Sequence, residues 1–413
     1  MKMPRLLSAK AEYSTVSFKK LNHPLKKILE KAPPLKSRCN RPLQMDFNDQ
    51  LNALIFFHLE EHTSGRHLLQ NLQEDDFARE HIAPEKGISK TSFFEAMNDR
   101  GLDQFLYVFN ALQEQAGTVL PQKFPELGQL VAIDGSLIDS VLSMTWADYR
   151  GGAKKAKTHI GFDINRGIPR KIFLTAGNDG ERPFVSKILE PGETGVLDRG
   201  YQHHKNFDLL QSEGKHFVCR IKANTIKKRL ERIPLLKDTI VFYDAKVLLG
   251  QKGVSQTEKP LRLIGYEIEG IQYWVASDRF DLTAEQIAFI YKLRWDIETF
   301  FAWWKRHLKV YHLISRSRHG LMIQMLAGLI TYLLLAIYCH EEHGEPVSIK
   351  RVRQLRNKIL NESRVAEFNE PDIEPQDINS TSPFGKPAYL ARTIAGKVRW
   401  GSRCWISFNK REM

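Results

Sequence analysis

The sequence predicts an α/β protein built on a mixed sheet, with a β-rich insertion, a helical region before the sheet and another after it. Three observations carry this expectation. Short apolar strand segments at 130–134, 159–163 and 168–175 are followed by alternating helical and strand patterns as far as 221. Residues 223–280 are strand-like and heavily charged, with Gly250, Gly253 and Gly270 placed for turns. The flanks instead repeat apolar residues at intervals of three and four, the period of a helix.

Taken in order, residues 1–40 are basic, carry Pro24, Pro33 and Pro34, and read as a loosely ordered arm. From 41 to 122 the pattern is helical: Phe47, Leu51, Leu54, Ile55 and Leu59 form one series, and Leu68, Leu69, Leu72 and Phe77 another after a break at Thr63-Ser64-Gly65. A further helix opens at 89–92, where Ser92 and Glu95 have the spacing of a capping box. This region suits either a small DNA-binding domain or a cap that supports the next domain. Residues 123–222 run strand, strand, strand, helix (181–189), strand (195–198), helix (206–211), strand (217–221). The later strands need crossover connections, so the sheet is expected to be mixed and covered by helices. After the insertion at 223–280, residues 281–345 hold a long helix over 284–308 and an apolar one. A basic region, 346–413, begins with Lys350-Arg351-Val352-Arg353, includes a linker at 367–387, and suits DNA contact or dimerisation.

The chain has 413 residues, with 61 Lys and Arg against 48 Asp and Glu, a net charge of +13. A folded chain of that sign points to a polyanionic partner, nucleic acid or an anionic membrane surface. With 42% hydrophobic and 26% charged residues, a disordered or collagen-like chain is excluded. Cys39, Cys219, Cys339 and Cys404 lie far apart, which gives neither a zinc pattern nor a disulfide framework and suits a reducing cytoplasm. The N-terminus lacks the apolar stretch of a signal peptide. Leu321–Tyr338 is uncharged and just long enough to cross a membrane, but Gln324, Gly328 and Thr331 interrupt it. It reads as a buried helix, with no membrane involved.

Asp134 and Asp198 share a context. Each ends an apolar strand, at the rim where open α/β sheets place their ligands, and each is followed closely by a glycine. Either alone reads as a turn-former; two side by side are how proteins hold hard divalent cations. On the long helix, Tyr291, Arg294, Glu298 and Lys305 fall within about 60° of one face. Pairing of Arg294 with Glu298 at i,i+4 would account for two of them without any chemistry.

The spaced set Tyr291, Arg294, Glu298 and Lys305 resembles the Tyr-Arg-Glu-Lys signature of bacterial insertion-sequence transposases of the DDE class. The segments Lys157–Asp163, Gly167–Pro169 and Leu197–Tyr201 look like the same family's other core motifs. The resemblance covers about 130–340. It implies an RNase H-like core, with Asp134, Asp198 and Glu298 as the catalytic, metal-binding triad. Two Mg²⁺ ions are expected, with Mn²⁺ able to substitute, and Tyr291, Arg294 and Lys305 would contact DNA phosphates.

The implied activity is cleavage at the ends of an insertion element and joining of the 3′ ends to target DNA. The implied partners are double-stranded DNA and a second copy of the chain, in the cytoplasm of a bacterium and on its nucleoid. Trp274, in the insertion, suits either stacking on a flipped base or core packing; His159 suits either a contact with DNA or a packed strand position. Trp295, Trp303 and Trp304 read as core residues or contacts with the insertion. A nuclease or resolvase that cuts without joining, and a derivative that binds DNA without moving an element, remain as alternatives.

Overall fold

The computed structural model describes residues 16–35, 42–235 and 239–364. Seven helices come first: α1 (Val16–Asn22), α2 (Leu25–Leu29), α3 (Phe47–Leu59), α4 (Gly65–Glu74), α5 (Asp76–His81), α6 (Lys90–Asp99) and α7 (Leu102–Val119). The expected loose arm is therefore helical over much of 16–35, because Phe18, Leu21, Leu25 and Ile28 recur at three and four and bury one stripe. The rest of that arm lies outside the described residues, as does the basic region beyond 364 with its linker. Helix α6 is capped by Ser89, whose hydroxyl accepts from the Ser92 amide at 3.2 Å. The expected capping box at Ser92 and Glu95 is not formed, since the helix has already started there.

The sheet strands are β1 (Leu130–Asp139), β2 (Lys155–Asp163), β3 (Ile168–Ala176), β4 (Thr194–Leu197), β5 (His216–Arg220), β6 (Lys227–Arg232), β7 (Val241–Leu249), β8 (Leu261–Ile268) and β9 (Ile271–Ser277). They form one nine-stranded sheet in the order β3-β2-β1-β4-β5-β9-β8-β7-β6. β1, β2 and β3 are antiparallel, whereas β4 lies parallel to β1 and β5 parallel to β4. The charged insertion adds an antiparallel meander to β5 through β9 and so extends the central sheet. Its anchor is a buried ion pair: Arg262 donates to both oxygens of Asp244 at 3.0 and 2.7 Å and also to the Leu282 carbonyl, tying β7 and β8 to the approach to the next helix.

Alternation along each strand separates two cores. Leu130, Ala132, Val196 and Val218 face α10 (Ala284–Leu293), α11 (Trp295–His307) and α12 (Arg318–His343). Val131, Ile133, Leu197 and Cys219 face α8 (Pro183–Ile188) and α9 (His204–Ser212). α11 packs on β1, and α10 on β4, β5 and the insertion strands. α12 holds the apolar stretch, and its most apolar window is 89% buried, against α3, α6, α7 and β3. α13 (Ile349–Arg364) closes on α1.

The expected single helix over 284–308 is divided at Arg294. There the Arg294 amide reaches the Tyr291 carbonyl at 3.2 Å and the Ile297 amide reaches the Arg294 carbonyl at 3.3 Å, i to i+3 bonds that tighten one turn.

Candidate active site

The site forms where β1 and β4 part. Their parallel register pairs Ala132 with Val196, and carrying it two residues further sets Asp134 level with Asp198. Ala132 and Val196 belong to the core on the α10–α12 side, so by alternation both aspartates project from that face. β4 then ends in a 3₁₀ turn, Arg199–Tyr201, while β1 continues beside β2 to Asp139. The sequence placed the end of the first strand at Asp134; the strand instead runs on as an overhang, because β2 still supplies partners.

Each aspartate spends one oxygen locally. Asp134 Oδ1 accepts from the Gly135 amide at 2.8 Å and Asp198 Oδ1 from the Gly200 amide at 2.7 Å. The turn-forming role is real for Asp198, which caps the 3₁₀ turn, whereas Asp134 sits inside the continuing strand; in both, the bond fixes the carboxyl group while leaving the second oxygen for other work. Burial raises the Asp134 carboxyl to about 6; the Gly135 amide and the Arg294 charge oppose that, and the charges of Asp198 and Glu181 add to it. A pair of neighbouring carboxylates, one of them costly to keep ionised, is an all-oxygen donor set that a hard divalent cation would relieve.

The helical stripe faces this pair. Arg294 donates to Glu298 Oε1 at 2.6 Å and lies 5.9 Å from the Tyr291 ring centre, and Lys305 Nζ donates to the Leu137 carbonyl on the overhang at 2.7 Å. Arg294, at the tightened turn between α10 and α11, thus links Tyr291 on one helix with Glu298 on the other. Burial alone would lower the Arg294 guanidinium; its bond to Glu298 and the charges of Tyr291, Glu298 and Asp134 outweigh that and leave it raised. Lys305 is lowered, chiefly by burial. Glu298 keeps Oε2 outside its ion pair. Among the described residues no three acids stand close enough together to hold a metal ion as they are. The donor chemistry fits a divalent cation at the aspartate pair, and Glu298 is held by Arg294, whose charge also acts on Asp134.

His159 lies on the other face of the sheet. It is 1% exposed, bonded to Thr175 Oγ1 at 2.9 Å and stacked on Phe184 at 4.1 Å, and burial lowers it to about 4. Trp274 is half-buried, edge-on to Phe242 and Tyr243, with Lys227 Nζ 4.1 Å from its ring centre. Of the three other tryptophans, expected as core or as contacts with the insertion, Trp304 is fully buried, Trp303 is half-buried against Tyr332, and Trp295, at the first residue of α11, is 64% exposed.

Three groups were given no role from the sequence, although Tyr201 closes the segment Leu197–Tyr201. The Glu181 carboxyl sits over Gly135, where an added Cβ would meet it at 2.8 Å, and pairs with Lys157 at 3.2 Å. Tyr201, 3% exposed, lies near Glu181 and both aspartates, and burial raises its phenol well above 10. On the α10 face, Tyr266 and Tyr273 stack at 5.3 Å with Arg220 over Tyr273 at 4.7 Å, beside Tyr291. Strand alternation was the available signal for Tyr273, which shares the face of Val275.

Residues 125–334, half of the chain, match the family described as the transposase DDE domain. The chain is 29% identical over 198 residues to a protein named as transposase y4zB of Sinorhizobium fredii, covering 46% of this chain and 56% of that one. It is 28% identical over 195 residues to the transposase assigned to insertion sequence IS5377 of Geobacillus stearothermophilus, covering 46% and 52%. It is 26% identical over 278 residues to a transposase assigned to insertion sequence IS4SA of Synechocystis, covering 64% and 76%. The chain thus spans about half the length of the first two relatives.

Proposed function

The chain belongs to the transposase DDE-domain family of insertion sequences, and from that premise we propose that it binds the ends of its own element, cuts them and joins the 3′ ends to target DNA. The observation that carries this is the level placement of Asp134 and Asp198 at the rim of two parallel strands, faced by Glu298 between two cations. The strand order β3-β2-β1-β4-β5, antiparallel and then parallel, supports an RNase H-like core.

Asp134, Asp198 and Glu298 would hold the divalent ions, two Mg²⁺ with Mn²⁺ able to substitute. Such ions supply activation of the attacking water or 3′-hydroxyl and neutralise the leaving oxygen. Arg294 has two tasks: it fixes the direction of Glu298 and presents positive charge to a DNA phosphate. Lys305, braced on the Leu137 carbonyl, is a second phosphate contact at the overhang, and Tyr291 offers its hydroxyl to a third oxygen. Trp274 is assigned to packing within the insertion, with base stacking as a role its half-exposed ring leaves open. His159 supports the strand rim from beneath. The helical region 41–122 is read as a DNA-binding unit, and two copies would pair the two ends, in the cytoplasm.

The test is strand transfer. Purified protein, Mg²⁺ and a duplex carrying the element's terminal sequence with its flank should cut at that end and join the freed 3′ end to a supercoiled plasmid. Cutting without any joining would replace this reading by that of a nuclease.

A further inference from the structure

A cavity of about 600 Å³ opens between the N-terminal helices and the loop that precedes α12. Three cations line it: Arg66 in the first turn of α4, Lys90 at the start of α6, and Arg316 just before α12. All three are exposed, and no acid lines this cavity. Glu95 and Asp99 border the adjoining depression on α6 instead. Three like charges around one opening repel each other, and nothing within the cavity offsets that cost; a polyanion would.

The walls are preformed. Ser315 Oγ donates to Asn98 Oδ1, and Ser317 Oγ bonds the Asn98 carbonyl at 3.3 Å, which ties the loop to α6. The Trp146 indole donates to the Arg316 carbonyl at 3.0 Å. Gly65 lies so close to the loop that an added Cβ would meet Ile314 at 2.8 Å.

The cavity also continues the catalytic face. Lys305, Arg306 and Tyr311 share a depression of about 400 Å³ with Leu137–Asp139 of the overhang, and Val141 and Leu313, two residues further along the same segments, line the three-cation cavity. Asp139, on that path, is engaged by Lys155 at 2.7 Å. From Leu137 to Val141 the chain, extended as far as Asp139, can cover at most about 13 Å. Along the axis of a duplex that is the rise of about four nucleotides of one strand at about 3.4 Å each.

We propose that this cavity is a second DNA-backbone site, where Arg66, Lys90 and Arg316 hold the phosphates of the strand that leaves the catalytic face past Lys305. The inference rests on the reading of DNA as substrate. Its test is fluorescence anisotropy of a duplex carrying the element's end, titrated with full-length protein in Mg²⁺-free buffer over a range of salt. Wild type is compared with Arg66→Gln/Lys90→Gln/Arg316→Gln and with the triple alanine variant. Circular dichroism of each variant confirms the fold, and since all three side chains are exposed, at least one triple variant is expected to retain it.

Loss of three phosphate contacts should flatten the log–log salt slope by about 2.7 and weaken binding at low salt. Wild-type slope and affinity in a folded triple variant would overturn the site while leaving the DNA reading intact. Wild type that binds no DNA would overturn both. Acylation of Lys90 provides the second arm: DNA should protect it, and equal protection by inorganic phosphate would overturn the assignment to a strand.

Discussion

Replacing Asp134 by Asn should stabilise the protein as it disables it. Asn keeps the Oδ1 bond from Gly135 and removes the charge that burial makes costly. With the folded carboxyl at about 6 and an ordinary value of 3.8, the difference is worth up to about 3 kcal/mol. The sign follows from proton binding. Below the ordinary value the group is protonated in both states and contributes nothing. As pH rises from there to about 6 the unfolded chain ionises first, and native stability falls; above about 6 the full penalty persists. The substitution should therefore gain up to about 3 kcal/mol near pH 8 but only about 1 kcal/mol near pH 4.5. Urea unfolding followed by tryptophan fluorescence, in chelator so that no divalent ion relieves the charge, measures both. No gain near pH 8, or the same gain at both pH values, would refute the claim that this carboxyl is held in a costly buried position.

Truncating one partner of the buried Asp244–Arg262 pair leaves the other charge without compensation, so Asp244→Ala should cost about 3–5 kcal/mol in chemical denaturation. Gly161→Ala would place a methyl group 2.4 Å from Ile188 and force β2 away from α8, a loss of about 1–3 kcal/mol visible as a lowered Tm. His58, His62 and His159 are each lowered to about 4 by burial, so they are neutral when folded and protonate first in the unfolded chain. Stability should fall as pH drops from about 6.5 to about 4, opposite in sign to Asp134, and His159→Phe should flatten part of that slope in a pH series of Tm values.

The sheet region was legible because its strands are short apolar runs bounded by turn residues, and helices, needing whole turns, separate the later ones. The two aspartates were legible for the same reason: VAID and GVLD end apolar runs, and a rim carboxylate stands out there. The division of the helix at Arg294 was not, because no Pro or Gly marks it and the tightened turn is a matter of backbone bonds. Trp295 is exposed although its residue type suggests burial, because helical period sets it opposite the buried stripe of Ile297, Phe300, Phe301 and Trp304. Trp274 drew attention by type as well, although alternation sets its neighbour Tyr273 on the face of Tyr291. Glu181 carried no local signal at all, since its place over Gly135 depends on the turn before α8 meeting a strand far away in sequence. Helices in the first residues were hidden by prolines and lysines that surround a buried stripe of Phe18, Leu21, Leu25 and Ile28.

The most direct test of the central claim incubates purified protein with a duplex carrying the gene's own flanking DNA, with and without Mg²⁺, and compares wild type with Glu298→Ala. Asp134, Asp198 and Glu298 acting together should give breaks at the element's ends that require the metal and vanish in the variant, while DNA binding persists. Breaks of undiminished yield from Glu298→Ala, or cutting in chelator, would contradict it.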